Sequence, residues 1–418
     1  MVEPSGNNPG EGPHRMRRRR FLAGAAAFPL SALLPKVARA AQAPARKYRV
    51  GVIGHTGRGD YGHGLDTVWR DIPQAEIVGV ADPNPAGLAE AVQRLMAPKG
   101  YEDYHKMLDE LKPELVSIGV QYLDQHRDMV GAAAERGVRG IYMEKPLCRT
   151  LEEADQMVAA CRKHKVKLAM AQQSLYVPKM KVIQDIIRSG KLGRVLELRG
   201  RGKEDARGGS LDLWVLGTRT LAVMQALADN PVSCLGTVLQ DKRPLGKQDV
   251  RESAAYGIGP LAGDEVHAMY RFSSGVTGYF DSVRNAGAPR PWRHGLQILG
   301  SEGAVHWHST EEFLPTAHFL PDPLWDPGRS GKQWIPVSSA GIGVPEPLKD
   351  EWPVHHRGNV LAVKDLIAAI EEDRQPLANL EEARINLEMI VAVFESHRTG
   401  GLVSFPLKNR VNPLTILS

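Results

Sequence analysis

Cysteine is scarce in this sequence, which has three cysteines among its 418 residues. They are Cys148, Cys161 and Cys234, an odd number whose spacing fits neither a disulfide framework nor a metal-binding motif. Each is expected to be a small buried apolar side chain rather than a nucleophile. No metal site is predicted elsewhere, because His306 and His308 share one face of a strand without a carboxylate or cysteine partner.

An excess of positive charge is missing beyond residue 40. The whole chain carries a net charge of +5, and residues 1–40 account for all of it with seven Lys or Arg residues against two Glu residues. No basic, aromatic-interleaved patch follows, so we expect no nucleic-acid partner. Long apolar runs are also missing. The apolar stretch at residues 21–34 is shorter than a membrane-spanning helix requires.

The first 40 residues have the pattern of a targeting segment. Residues 18–22, Arg-Arg-Arg-Phe-Leu, match the twin-arginine pattern R-R-x-F-L, and residues 38–40, Ala-Arg-Ala, have the spacing that a signal peptidase reads. We therefore predict a signal over 1–40 and a periplasmic or otherwise extracytoplasmic location, with no stable membrane span after cleavage. A disordered basic tail and an uncleaved anchor are the alternatives.

A glycine-rich turn follows the first apolar run, residues 50–53, which is predicted to be a buried strand. Four glycines occupy the turn: Gly54, Gly57, Gly59 and Gly62. Residues 63–71 are predicted to begin a helix, and glycines at a strand-to-helix turn let the backbone and the helix N-terminus approach a pyrophosphate. A second predicted strand, 77–81, ends at Asp82, whose carboxylate can accept hydrogen bonds from an adenosine ribose.

The turn permits two registers of the G-x-G-x-x-G fingerprint. One begins at Gly57, whereas the other begins at Gly54, has Thr56 in place of the middle glycine and ends at Gly59. We favour the second register, because the first glycine should follow the strand directly. We predict NAD as the cofactor, with NADP as the alternative, because the Asp82 carboxylate would repel a 2′-phosphate.

The pattern of predicted elements indicates an α/β protein with two domains. Strands and helices alternate between residues 47 and 172, which predicts a doubly wound parallel Rossmann sheet. Runs of alternating strand character follow, which predict an α+β domain with an open, mostly antiparallel sheet. Residues 315–352 are predicted to be an extended surface excursion. The predicted boundaries are 1–40 for the signal, 47–172 for the dinucleotide-binding domain and 173–418 for the substrate and oligomerisation domain.

The segment 143–147, Met-Glu-Lys-Pro-Leu, lies at the predicted carboxyl end of a parallel strand. Open α/β sheets bind ligands at this edge. The ammonium of Lys145 can donate there to a substrate hydroxyl or carbonyl as a hydride moves. A surface salt bridge is the alternative role for a lone lysine.

The chain resembles the Gfo/Idh/MocA oxidoreductases, the glucose-fructose oxidoreductase and inositol dehydrogenase family, over roughly residues 47–414. The matching segments are 52–54 with Gly59, 80–82, 144–147, 150–155, 189–195 and 300–303. The resemblance implies a Rossmann domain, a second domain with an open antiparallel sheet, and bound NAD or NADP. It also implies hydride transfer at a carbohydrate or polyol carbon, and a homo-oligomer.

The resemblance further implies roles for individual residues. Lys145 falls on the catalytic or substrate-orienting lysine of the family, and Glu144 and Pro146 on its neighbours at the cofactor. Gln121 and His126 fall where relatives border the nicotinamide. The other predicted cofactor contacts are Gly54, His55, Thr56, Gly57, Arg58, Gly59 and Asp82.

The chain departs from the family pattern in its second domain. Arg219 occupies the position where a histidine is expected, and Ala222 the position of a common aspartate. Arginine is a poor proton shuttle because it stays charged, but its fork can hold an acidic or hydroxylated substrate. Asp212 is predicted either to act with Lys145 or to cap the helix 213–228.

Together these features predict an exported NAD(P)-dependent oxidoreductase that acts on a sugar, a polyol or a related carbohydrate derivative. Two alternatives stay open. A glycoside-cleaving enzyme with retained NAD and no net redox change fits export, because free NAD is scarce outside the cytoplasm. A cofactor-bound protein without catalysis is suggested by Arg219 and Ala222.

Overall fold

The computed structural model of the protein describes residues 47–287, 293–309, 316–348 and 354–418. The predicted twin-arginine segment, residues 1–40, lies outside them. The elements of the first part are β1 (Tyr48–Ile53), β2 (Ala75–Ala81), α1 (Pro85–Leu95), β3 (Gly100–Tyr101), α2 (Tyr104–Leu111), β4 (Leu115–Ile118), α3 (His126–Glu135), β5 (Gly140–Met143), α4 (Leu151–His164), β6 (Lys167–Met170), α5 (Gln173–Tyr176) and α6 (Pro178–Arg188).

A six-stranded parallel sheet runs in the order β3-β2-β1-β4-β5-β6. All residues of β4 and β5 are buried, as expected for strands whose two faces are covered by helices. The chain order changes direction between β1 and β4, which makes a crevice at the carboxyl ends of these strands. The predicted doubly wound Rossmann sheet is therefore confirmed.

The predicted helix over residues 63–71 is wrong. Turns occupy most of the segment, and only a short 3₁₀ helix, Val68–Asp71, is formed. Gly62 and Gly64 have φ values of +64° and +81°, a left-handed conformation that interrupts a right-handed helix. No α-helix N-terminus therefore follows the glycine turn directly in the described chain.

The second part of the chain builds a large mixed sheet. Its elements are β7 (Val195–Arg201), α7 (Ser210–Asp212), a π-helical segment (Leu213–Gly217), α8 (Thr218–Ala228), β8 (Pro231–Gln240), β9 (Arg243–Pro244), β10 (Arg251–Ser253), β11 (Gly259–Leu261), β12 (Glu265–Phe272), β13 (Thr277–Val283), β14 (Gly295–Gly300), β15 (Ala304–His308), β16 (Thr316–Leu320), α9 (Pro327–Ser330), β17 (Ile335–Ser338), β18 (Gly341–Ile342), α10 (Val354–Glu371), α11 (Leu380–Thr399) and β19 (Val403–Ser404).

One face of this sheet is covered by helices and the other is polar. The strand order is β18-β17-β16-β15-β14-β7-β13-β12-β8-β19, with β9 added beside β8, and within it β7 and β13 are parallel neighbours. Helix α11 packs against β8, where Ser396 Oγ accepts from the amide of Gly236 at 2.8 Å. The alternating burial of β7 leaves Glu197 and Arg199 on the opposite face. These contacts confirm the predicted open, mostly antiparallel sheet.

Residues 316–342 extend the large sheet, which corrects the prediction of a surface excursion over 315–352. Strand β16 pairs with β15, and β17 and β18 continue the sheet outward. The many prolines and glycines of this segment lie mostly in the connections, where they suit turns.

Helix α10 packs against the parallel sheet, although most strands of the second sheet lie between them in the sequence. Its apolar residues Val360, Val363 and Leu366 belong to the same buried cluster as β1. The Tyr142 hydroxyl donates to Asn359 Oδ1 at 2.7 Å, and Asn359 Nδ2 donates to the carbonyl oxygen of His63 at 2.8 Å. Helix α10 therefore braces β5 and the glycine turn together. None of the helices within the described ranges is long and apolar enough to cross a membrane.

Tyr142→Phe is expected to lower the free energy of unfolding by about 1–3 kcal/mol, because Asn359 Oδ1 then loses its buried donor. The matched control is Tyr101→Phe, which removes an exposed hydrogen bond to Glu110 and is expected to cost less than about 0.5 kcal/mol. Urea unfolding measures both values. An equal loss in the two variants would contradict a bracing role for α10.

Candidate active site

A cavity of about 310 Å³ lies at the carboxyl edge of the parallel sheet. It is lined by residues of that edge and by residues of the helical segment in the second part of the chain. The residues that line it are His63, Gln121, Lys145, Pro146, Arg207, Val215, Leu216, Arg219, Tyr256 and His355. This edge is where open α/β sheets bind ligands. We call the cavity the lysine pocket, after Lys145.

Lys145 is held in the lysine pocket by a carbonyl of the π-helical segment. It follows β5 by two residues, it is 6% exposed, and its Nζ donates to the carbonyl oxygen of Val215 at 3.0 Å. π-Helical turns often occur at functional sites. Burial and the charge of Arg219 lower the pKa of Lys145 to about 7, against the opposing attraction of Glu144. A lysine of this kind can exchange a proton near neutral pH.

Glu144 forms a buried pair with His63. Its Oε1 accepts from the amide of His63 at 2.9 Å and lies 2.5 Å from His63 Nδ1, while Oε2 accepts from the amide of Lys145 at 2.9 Å. Burial raises the pKa of Glu144, but His63 and Lys145 lower it overall, so the carboxylate is ionised. An ionised carboxylate only accepts, which assigns the hydrogen to His63 Nδ1 and leaves Nε2 as the acceptor in the neutral ring.

The surroundings of His63 keep its ring neutral. Glu144 raises the pKa of His63, but burial and the cations Lys145 and Arg219 lower it overall. Its ring lies 5.1 Å from that of His355, between centroids. Burial first, and Arg219 next, also lower the pKa of His355. The lysine pocket thus holds two neutral imidazoles beside its cations.

The glycine turn is tied to the end of β2 by Asp82. Gly54 follows β1 directly, and the amide of Thr56 lies 3.1 and 3.0 Å from Asp82 Oδ1 and Oδ2. Thr56 Oγ1 donates to Asp82 Oδ2 at 2.7 Å, and the amide of Asn84 donates to Oδ1 at 2.9 Å. Asp82 is fully buried. Its carboxylate therefore holds the turn in shape, and a contact with a ribose stays a prediction.

The residues present at the crevice fit a dinucleotide. Gly57 is exposed with φ +86°, and a Cβ placed there meets no atom within 4 Å, so the backbone is open to a phosphate. Gly59, with φ +83°, packs so closely on Gln121 that an added Cβ would lie 2.4 Å from the Gln121 Cβ. The turn 54–59, with Gln121 and Pro146, would hold NAD between β1 and Lys145.

The side chains of the turn have protein partners. Arg58 donates to Asp124 Oδ2 at 2.7 Å and lies over the ring of Tyr122, 4.4 Å from its centroid. His55 Nδ1 lies 3.0 Å from Gln125 Oε1. These contacts fix the turn against residues 122–125, and direct cofactor contacts of His55 and Arg58 stay predictions.

Two family models match the chain. The first is described as the oxidoreductase family, NAD-binding Rossmann fold, and matches residues 48–172. The second is described as the oxidoreductase family, C-terminal alpha/beta domain, and matches residues 185–405. The chain belongs to the Gfo/Idh/MocA family. NAD binding is the property named by the first description, in agreement with the prediction from the sequence.

Several curated relatives in this family act on sugars or polyols. A levoglucosan dehydrogenase of Pseudarthrobacter phenanthrenivorans is 28% identical over 250 residues, which are 54% of this chain and 63% of that protein. A D-apiose dehydrogenase of Paraburkholderia graminis is 34% identical over 30% of this chain and 33% of that protein. The NAD-dependent scyllo-inositol 2-dehydrogenase of Bacillus subtilis is 22% identical over 86% and 97%. The chain thus spans less than two thirds of the first two relatives.

Solved structures share the fold. Levoglucosan dehydrogenase in complex with NADH and levoglucosan has a TM-score of 0.67 and 22% identity, and the match covers 87% of this chain and 100% of that one. An NAD-binding oxidoreductase from Klebsiella pneumoniae has the same TM-score and coverage at 20% identity. These matches confirm the Gfo/Idh/MocA fold, with its parallel Rossmann sheet and its second sheet.

Arg219 and Ala222, the two predicted departures from the family pattern, face different cavities. Arg219, in the first turn of α8, lines the lysine pocket and is 6% exposed. Ala222 lies one turn further along and faces a different cavity, which Gln225 and Asn386 also line. The structure therefore brings Arg219, but not Ala222, to Lys145.

Asp212 accepts its hydrogen bonds outside the lysine pocket. It is fully buried, and its Oδ2 accepts from Ser282 Oγ at 2.6 Å and from the amide of Glu204 at 3.0 Å. It neither lines the lysine pocket nor caps the helix, which begins after Gly209 without a side-chain cap. The expected capping role is wrong, and the alternative catalytic role has no support from the geometry. Asp212 instead ties α7 to β13.

His126 braces two loops instead of lining the lysine pocket. It is fully buried, with Nε2 2.7 Å from the carbonyl oxygen of Val120 and Nδ1 2.9 Å from that of Leu147. This geometry therefore does not favour a contact between His126 and a nicotinamide. His126 fixes the segment that follows β5, and so positions Lys145 and Pro146.

The sequence prediction missed His63, Arg207 and Tyr256 as residues of the lysine pocket, and it placed His355 only near the rim of the cleft. His63 follows the glycine turn by one residue, and that position is the only local signal for it. The others lie in segments without a motif, and they meet Lys145 only in the folded chain.

Proposed function

We propose that the protein is an NAD-dependent oxidoreductase that oxidises a hydroxyl-bearing carbon of a sugar, a polyol or a related carbohydrate derivative. The observation that carries the proposal is the buried Lys145, with its lowered pKa, at the end of β5 beside the dinucleotide crevice. NAD supplies the hydride acceptor when it is bound. Family membership and the sugar dehydrogenases among the relatives support the proposal.

Lys145 takes the hydroxyl proton in this proposal. The neutral amine accepts it as the C–H hydride leaves the same carbon, which becomes a carbonyl. The Val215 carbonyl accepts a hydrogen bond from Nζ and keeps it in position. Arg219 disfavours the resulting ammonium, which favours release of the proton. His63 Nε2 is the acceptor provided by the pocket, and the ionised Glu144 stabilises the imidazolium.

The rate of oxidation is expected to depend on the protonation of Lys145. Because the neutral amine is the base and its pKa is about 7, kcat/KM rises about tenfold per pH unit below that value and levels off above it. Arg219 lowers this pKa, so Arg219→Gln is expected to shift the profile to higher pH. Initial rates across a pH series measure both effects. A profile that falls as the pH rises through 7 would contradict the assignment.

The test of the proposed activity uses the full chain. Mass spectrometry of the natively purified protein identifies any retained dinucleotide, and calorimetry measures the affinity for NAD and NADP. A panel of sugars and polyols is then followed by nicotinamide absorbance. NADH formation that depends on Lys145 is the expected result. Absence of both bound dinucleotide and affinity for NAD or NADP would refute the proposal.

We also propose that residues 1–40 direct export through the twin-arginine route. The support is the pattern at residues 18–22 and the small residues at 38–40. Replacing Arg18 and Arg19 together by lysine is expected to keep the protein in the cytoplasm, as measured by cell fractionation. Unchanged distribution would reject this route.

A homo-oligomer through the open face of the large sheet is a further part of the proposal. The strip on β7 and β13 that includes Glu197, Arg199 and Asp281 is polar and partly exposed. Light scattering of the purified protein measures the assembly, and a monomer at all concentrations would exclude it.

A further inference from the structure

A second cavity of about 310 Å³ lies at the end of β6, between helices α5, α6 and α8 and the first turns of α11. Amide side chains are the most frequent polar groups of its lining, and they are Gln172, Gln184, Gln225, Asn230, Asn379 and Asn386. We call it the amide cavity. It has the size of a small ligand pocket and shares no lining residue with the lysine pocket. A ligand bound here would therefore lie outside the proposed active site.

The orientation of the Gln172 amide follows from a chain of hydrogen bonds. Asn386 Nδ2 donates to the backbone carbonyl oxygen of Thr218 at 3.1 Å, and a carbonyl only accepts, so the Asn386 amide is fixed. Asn386 Oδ1 accepts the hydroxyl hydrogen of Thr218 at 2.7 Å. Thr218 Oγ1 then has only lone pairs left, and Gln172 Nε2 donates to it at 3.4 Å. Turning the Gln172 amide over would place its oxygen against those lone pairs.

The other end of this amide, Gln172 Oε1, is a buried acceptor without a donor. Gln172 is 5% exposed and lines the amide cavity, and its Oε1 has no hydrogen-bond partner in the part of the chain that the structure describes. A buried polar atom that stays unsatisfied costs free energy, and such atoms are few in native proteins. A donor located in the cavity would remove this cost.

The charges at the amide cavity are negative. Asp229 and Glu382 line it, and no Lys, Arg or His is present among the described lining residues. Glu382 Oε2 accepts from Gln225 Nε2 at 2.5 Å, whereas Oε1 has no protein partner within the described ranges. Burial, and then the charge of Glu381, raise the pKa of Glu382. A positive ligand group would stabilise the ionised Glu382, and an anion would be repelled.

An ammonium group has the chemistry that these two side chains lack. It has three donor hydrogens and a positive charge, so it supplies a donor for Gln172 and a counter-charge for Glu382. The side chains of Met170, Leu175 and Ala222 provide an apolar surface for the carbon body of a ligand. A metal ion is less suited, because no group of three or more His, Cys, Asp or Glu residues in the described chain is placed to hold one.

We propose that the amide cavity is a second binding site, for a small organic ligand that carries a protonated amine. The ammonium contacts Gln172 and Glu382, and the carbon body packs on the apolar part of the lining. The inference goes beyond the proposed oxidation and does not depend on it, since the two cavities have separate linings.

The test compares amines with neutral counterparts of similar shape, by calorimetry on the full chain at a pH at which the amines are protonated. Cyclohexylamine is compared with cyclohexanol for an apolar body, and D-glucosamine with D-glucose for a hydroxylated one. At least one amine is expected to bind roughly 10-fold or more tightly than its counterpart, as for a hydrogen bond to a charged group. The pair that shows the preference identifies the body of the ligand.

Two variants assign the binding to the amide cavity. Glu382→Gln keeps an acceptor for Gln225 and removes the charge, so it is expected to abolish the preference for the amine. Ala226 is exposed on α8 and lines the cavity, so Ala226→Phe is expected to block the site without disturbing the core. The control is Glu381→Gln, since this neighbouring carboxylate pairs with Arg162 and lies outside the lining. It is expected to keep the preference.

The outcomes that overturn the inference are distinct. Absence of binding, or equal binding within both pairs, would show that the cavity does not select an amine. A preference that survives both Glu382→Gln and Ala226→Phe in folded protein would place the amine elsewhere. Tighter binding of a neutral counterpart that Ala226→Phe abolishes would reject the choice of an amine.

The inference and the proposed function fail separately. Lys145→Met is expected to leave binding of the amine unchanged, because Lys145 does not line the amide cavity. Loss of the amine in that variant would place it in the lysine pocket and overturn the inference. Intact amine binding in a protein without affinity for NAD would refute only the oxidoreductase.

Discussion

Lys145→Met is expected to lower kcat by roughly 10²- to 10⁴-fold, because it removes the proton acceptor at the reacting hydroxyl. Methionine keeps most of the apolar length of the side chain, so the pocket stays filled. Binding of NAD should be preserved, since the glycine turn and Asp82 are untouched. Single-turnover formation of NADH measures the chemical step, and calorimetry measures binding of the dinucleotide.

The matched control for Lys145→Met is Lys179→Met. Lys179 is equally buried, at 6% exposure, and burial also lowers its pKa, but its Nζ lies 3.6 Å from Glu346, and it does not line the lysine pocket. A comparable fall in kcat for the two variants would indicate a general effect of losing a buried lysine. Full activity of folded Lys145→Met would exclude the proposed role of Lys145.

Thr56→Val is expected to weaken NAD binding by about tenfold or more, because it removes a charge-assisted hydrogen bond to Asp82. Asp82 Oδ2 then keeps only its contact with the amide of Thr56, so the glycine turn is held less firmly. Asp82→Ala should have a larger effect, of roughly 100-fold, since it removes every acceptor for the amides of Thr56 and Asn84. Fluorescence titration with NADH measures both affinities.

The control is Thr67→Val, in the turns that follow, where Oγ1 donates only a long 3.4 Å bond to the carbonyl oxygen of Gly64. It should bind NADH like the parent protein. If Asp82 acted solely through a ribose, Thr56→Val would leave the affinity unchanged. That result would reject the shaping role of the Thr56–Asp82 contact.

The sequence predicted those features of the site that depend on neighbouring residues. Thr150 and Glu153 have the capping-box spacing, which predicts the start of α4, and the Thr150 side chain accepts from the amide of Glu153 at 3.2 Å. The apolar run of β5 was expected to be a buried strand, and Lys145 follows its end. Both signals act within a few residues, so the rest of the fold does not override them.

Contacts between residues that are far apart in the chain could not be predicted from the sequence. Glu144 meets His63 across 81 positions of the chain, and Asn359 meets Tyr142 across 217. π-Helical turns are rare, so nothing in the sequence predicted the one that presents the Val215 carbonyl. The expected helix after the glycine turn failed for a local reason that was visible, since Gly62 and Gly64 favour left-handed backbone.

The Thr56 position shows how a departure from a motif changes the role of a second residue. In the G-x-G-x-x-G fingerprint the middle glycine leaves the backbone bare for a pyrophosphate. Here the side chain at that position donates to Asp82, the residue that the motif reserves for the ribose. The sequence singled out both residues, but it did not predict their contact, which depends on how the turn folds back on β2.

Helix α10 sets the order in which a newly made chain is able to complete its first domain. Residues Val360, Val363 and Leu366 close the apolar core around β1, so that core stays open until the ribosome has released this helix. The early strands therefore stay partly uncovered while all strands of the second sheet up to β18 are synthesised. Any exchange of the substrate-binding part between relatives would therefore have to leave this late helix with its original partner.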